Sequence, residues 1–144
     1  MKDIAASELL QLVFLQIAMN HKPHKAWFTL DDAIFHPTIF QLQEKYGKEL
    51  PPLGKLHFVT AGAFPYSHEL SDCIDNLKTG YFTTLITTGR KDFFYCRILE
   101  KDSDPFLVEG VKGIFQGDVQ AKESFHKLVC ELWAVIRRCP YPVI

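Results

Sequence analysis

Cys73 follows His68 by five residues, and Cys130 follows His126 by four. A thiol beside an imidazole is how a thiolate nucleophile is made, because the nitrogen takes the proton and the resulting cation holds the anion. On a helix, residues four apart share a face and residues five apart do not. Only His126 and Cys130 therefore have usable spacing, and no third group stands ready to orient the histidine. Cys73 falls on an apolar stripe, where a buried thiol is inert. His21 and His24 are spaced like two ligands to one metal, yet no second pair accompanies them. Glu44 with Glu49, and Asp31 with Asp32, read as solvated charges. The sequence holds no Walker loop, Gly-rich dinucleotide turn, H-E-x-x-H or G-x-S-x-G. The expectation is a protein that is not an enzyme and uses no metal or cofactor.

The distribution of charge is more informative. If residues 67–79 are helical, His68, Glu69, Asp72, Asp75, Asn76 and Lys78 share the side opposite Leu70, Cys73, Ile74 and Leu77. Three acids against one lysine suit a basic protein surface better than a DNA duplex, which carries one negative charge per ~1.7 Å of axis. Glu69, Asp72, Asp75 and Asn76 are the expected protein-binding residues. The competing reading is a DNA-binding regulator contacting phosphates through Lys78, Arg90, Lys91 and Arg97, with Lys22, His24 and Lys25 as a second basic spot. Arg90 and Lys91 also fit a plain solvated turn.

These residues need elements to position them. Ser7 can cap a helix to residue 20 whose apolar side chains cover most of its circumference, so either its own domain or a partner must surround it. Thr29 with Asp32 resembles a helix start. Pro37 cuts that helix short and opens another, over Ile39, Phe40 and Leu42, that Gly47 can end. Residues 51–54 read as a turn and 56–60 as a short strand. Ser67 caps the amphipathic helix and Gly80 ends it. Residues 81–88 and 93–99 then form a hairpin around the turn at 89–92. Another strand is expected at 106–108. Asp118 caps a final helix with Phe125, Leu128, Val129, Leu132, Trp133 and Ile136 as its buried stripe, and Arg137 and Arg138 suit its negative end.

Phe93-Phe94-Tyr95 must place rings on both faces of its strand. The second face needs cover from the final helix or from another chain, so a protein partner, including a second copy, is expected.

The chain has 144 residues, 47% hydrophobic and 13% aromatic, enough for one domain with a substantial core. Its net charge of −1 gives no general pull toward nucleic acid. The four cysteines form no C-x-x-C pair and read as small buried hydrophobes. The apolar run at 9–19 is too short for a bilayer, which takes ~20 residues. Asp3 and Glu8 spoil a signal peptide, leaving a cytoplasmic protein without membrane contact.

Phe64-Pro65-Tyr66-Ser67, then Leu70, Ile74, Leu77, Gly80 and Phe82, and then Leu85 and Thr87-Thr88-Gly89, resemble a pattern in bacterial and phage domains. These are the Panacea family of antitoxin domains and the YwgA-like proteins, in which a Pro-Tyr-Ser turn opens a helix that a strand and a Thr-Gly turn follow. Ala63-Phe64 stands where a Gly commonly precedes the Pro-Tyr. The resemblance implies an α+β fold with a winged-helix-like core, here one domain over 1–144 with a long C-terminal helix. It also implies a non-enzymatic regulatory role, antitoxin-like or defence-related.

Overall fold

A computed structural model describes residues 1–21, 24–86, 92–96 and 113–138, with the side chains of Leu85 and Ile86 excepted. The elements are α1 (Ala6–His21), α2 (Asp32–Tyr46), α3 (Pro51–Gly54), α4 (His68–Gly80), β1 (Phe82–Ile86), β2 (Asp92–Cys96) and α5 (Val119–Ile136). Helices with a two-stranded antiparallel sheet and a long C-terminal helix make an α+β fold, as expected. The expected strand at 106–108 lies outside the described residues, as do Lys22, Arg90, Lys91, Arg97 and Cys139. Among the described residues no helix is long and apolar enough to cross a membrane.

The apolar α1 is enclosed by its own chain. Leu9, Leu10, Val13, Phe14, Leu15 and Ile17 are all 2% exposed or less, and α3, α4, α5 and β2 pack around them. The two strands pair with Phe82 opposite Cys96 and Leu85 opposite Phe93. A third extended segment joins them at Phe28, whose backbone exchanges two hydrogen bonds of 2.9 Å with Phe94. Beyond it, Thr29 donates to the Ile136 carbonyl and Arg138 to that of Trp27, so Arg137 bridges Phe28 in turn. Phe14 lies 4.9 Å from Phe82 and 5.1 Å from Phe28, ring centre to ring centre, sealing this small sheet onto α1.

Side chains alternate along β2. Phe94 and Cys96 join the main core, while Phe93 and Tyr95 take the opposite face, and all four are buried. Trp27 meets the Tyr95 ring edge-on at 4.7 Å, and the Lys25 ammonium sits 4.9 Å above it. The segment between α1 and α2 therefore covers Tyr95.

Other expectations change. Pro37 does not divide its helix; α2 runs through it from an Asp31 cap that accepts from the Ala33 N–H at 3.0 Å. Phe35, His36, Ile39 and Leu42 form one buried face spanning the proline, and that burial outweighs the lost hydrogen bond. Residues 51–54 form a turn of helix because Pro51 suits a first helical position and Leu50 and Leu53 are buried on either side. Gln43 Nε2 caps its end, donating to the carbonyls of Leu53 at 3.0 Å and Leu56 at 2.7 Å. Glycine is required where this turn touches α2, since a Cβ on Gly54 would stand 2.8 Å from the Gly47 carbonyl oxygen. Residues 56–60 are not a strand. Only Val59 pairs, with Tyr66, across the bend at 61–64.

At α5, Asp118 accepts from the Ala121 N–H at 3.0 Å as the cap, and the expected stripe is buried apart from half-exposed Trp133, which packs on His21. Lys45 Nζ meets Glu131 Oε1 at 2.7 Å, tying α2 to α5. Hydrogen bonding to Glu131, then burial, push the Tyr46 hydroxyl up to about 12.

Pro37→Ala restores a backbone donor within α2. The expected gain is about 1–2 kcal/mol, the helix-interior penalty of proline less the entropy it removes from the unfolded chain. Urea denaturation checks this, and a less stable variant would show that the ring's packing matters more than the missing bond.

Candidate functional site

The orientation of α4 is set at its first turn. Ser67 is fully buried, and its hydroxyl accepts from the Leu70 N–H at 3.2 Å. Its own N–H donates to His36 Nδ1 on α2 at 3.1 Å. Because Nδ1 accepts this bond, the neutral ring carries its proton on Nε2, which lies 3.6 Å from Asp32. Tyr66 stacks on the imidazole at 4.4 Å with an interplanar angle of 11°, and His68 meets Tyr66 edge-on. The Phe64-Pro65-Tyr66-Ser67 turn is thus packed onto α2 by a histidine that is 1% exposed. Burial lowers the His36 pKa, and Asp32 partly opposes it. The sequence carried no sign of this partnership, because 31 residues separate His36 from Ser67.

From that cap, Leu70, Ile74 and Leu77 point into the core. Glu69, Asp72, Asp75 and Asn76 are all exposed together on the other side. Glu69 accepts from the His57 N–H at 3.3 Å. Among the described residues no cation pairs with Glu69, Asp72 or Asp75. Burial raises the pKa of half-buried Cys73, and Asp72 and Glu69 raise it further, which opposes thiolate formation. His126 and Cys130 are both exposed on α5. Among the described residues no group of three His, Cys, Asp or Glu is placed to hold a metal ion.

Lys78 leaves the acidic side of α4. It is half-buried, with its ammonium 5.2 Å above the Phe94 ring, and it lines a cleft of about 300 Å³. The cleft also brings in Asp31, Asp92 and Arg138, over Leu30, Ile34 and Phe94. Sequence reasoning missed this grouping because its members come from four elements far apart along the chain. Of the nucleic-acid candidates Lys78, His24 and Lys25 are among the described residues; Lys22, Arg90, Lys91 and Arg97 are not.

The His36 bond gives stability a pH dependence of definite sign. The folded pKa lies below the usual 6.5, so the unfolded chain binds the proton more readily. The contribution is complete above 6.5 and is lost as the pH falls from there toward the folded value. His36→Asn keeps an acceptor near the Nδ1 position but does not titrate. The stability difference between wild type and variant should shrink on acidification between about pH 7 and 5. A pH-independent difference would contradict the lowered pKa of the buried ring. No family model matches the chain, and no curated protein or solved structure matches it either.

Proposed function

We propose that the chain is a non-enzymatic regulatory module with a winged-helix-like core, which meets a basic protein surface through Glu69, Asp72, Asp75 and Asn76 on α4. The observation that carries this reading is the acidic face itself, whose carboxylates pair with no cation among the described residues. Three carboxylates stay solvated on one side of a helix whose other side is fixed in the core. An unneutralised acidic face favours encounter with a cationic partner and resists polyanions. The antitoxin-like or defence-related setting, bacterial or phage, rests on the resemblance of residues 64–89. A cytoplasmic location belongs to the same reading.

The winged-helix character is supported by the order of elements. A capped helix leads into a hairpin, and Phe28, lying between α1 and α2, adds an extended segment to β2. That order also favours a second reading, a DNA-binding transcriptional regulator that enters a groove with α4 and touches phosphates with its hairpin. The acids on α4 weigh against it. Asp and Glu can accept from cytosine, but three of them would oppose the backbone phosphates.

One titration series separates the two. A lysine- and arginine-rich helical peptide and a mixed-sequence DNA duplex are each titrated at low and moderate salt. The comparison uses wild type, Asp72→Lys with Asp75→Lys, and a control with Glu8→Lys and Glu123→Lys on other helices. Expected is salt-sensitive peptide binding, weakened about tenfold or more by the α4 reversals but not by the control, and no binding of the duplex. Duplex binding without peptide binding would reverse the order of the readings, and equal effects of both double variants would remove the special role of α4.

A further inference from the structure

The cleft beside Lys78 carries an inference separate from the outer face of α4. Its four charges come from four places: Asp31 caps α2, Lys78 lies near the end of α4, Asp92 opens β2 and Arg138 follows α5. Opposite charges gathered at one opening ordinarily pair. Here no two of the four form an ion pair among the described residues. Three are held instead by neutral groups. Asp31 accepts from the Ala33 N–H at 3.0 Å, and Lys78 rests on the Phe94 ring. Arg138 donates to the carbonyls of Val135 at 3.0 Å and Arg137 at 2.6 Å. The same cleft is lined by apolar Leu30, Ile34 and Phe94 and by Thr29. Ile34 is 42% exposed, an uncommon state for a large aliphatic side chain among the described residues.

Both signs of charge, not paired with each other and set beside apolar side chains, complement a molecule that carries a carboxylate and an ammonium on an apolar body. The volume of about 300 Å³ restricts its size. Ligand pockets span roughly 300–1,000 Å³, so this one suits a single amino acid rather than a nucleotide. We propose that the cleft binds a free amino acid with an apolar side chain. The carboxylate lies toward Lys78 and Arg138, the ammonium toward Asp31 and Asp92, and the side chain against Ile34 and Phe94.

Calorimetric titration of the full chain tests this with four probes. L-leucine and L-phenylalanine carry both charges; 3-phenylpropanoate and 2-phenylethylamine carry one each. The expected result is saturable binding of at least one amino acid at ~1 mM or tighter, with each single-charge analogue about tenfold weaker or worse. In folded variants, checked by circular dichroism, Lys78→Met weakens the amino acid and phenylpropanoate but spares phenylethylamine. Asp92→Asn weakens the amino acid and phenylethylamine but spares phenylpropanoate. No saturable binding of either amino acid up to ~10 mM, or analogues that bind as well, overturns the proposal. So do folded variants with unchanged affinity. If a variant does not fold, the comparison of the four probes on the wild-type chain decides alone.

Discussion

Three side chains determine what α4 presents to its surroundings. Leu70, Ile74 and Leu77 are each 5% exposed or less, and burying each stabilises the fold by roughly 1.5–3 kcal/mol. Rolling the helix to hide its carboxylates would return that stripe to water and would desolvate charges at several kcal/mol each. The His36–Ser67 bond fixes the same orientation from the N-terminus of the helix. It satisfies a buried donor just outside the helix, and an unsatisfied one would cost about 1–3 kcal/mol. The outward acidic face therefore follows from packing and polar satisfaction together.

The root of the hairpin depends on a related economy of aromatic rings. Phe94 belongs to the core through Phe28 and Phe82, while Phe28 joins its backbone to β2. Lys78 covers the same Phe94 ring. This draws the lysine of α4's polar side into the cleft and leaves the outer face more acidic than the sequence suggests. One ring thus links core, hairpin and cleft, and the charge on either side of α4 is a consequence of its position.

Much of the architecture was legible in the residues because it rests on local signals. Ser67 and Asp118 announce their helices through capping chemistry, and the period of Leu70, Ile74 and Leu77 tells which face is buried. The same period placed Glu69, Asp72, Asp75 and Asn76 outside. What escaped was non-local. Pro37 signalled a break, but the face that overrides it is completed by contacts to other elements, among them Ser67. His36 looked like an ordinary helix residue. Nothing near Tyr95 in the chain indicates that Trp27 would cover it. The cleft was illegible for the same reason, since Asp31, Lys78, Asp92 and Arg138 meet only once the strands, Phe28 and the end of α5 have assembled.

The carboxylates of α4 face solvent while its apolar stripe is locked inward. Carbodiimide-driven carboxyl labelling, read residue by residue by mass spectrometry, tests it directly in the native protein. Glu69, Asp72 and Asp75 should react nearly as fast as in urea-unfolded chain, and Glu131, paired with Lys45, should lag. Protection of the three α4 carboxylates to the level of Glu131 would contradict the account.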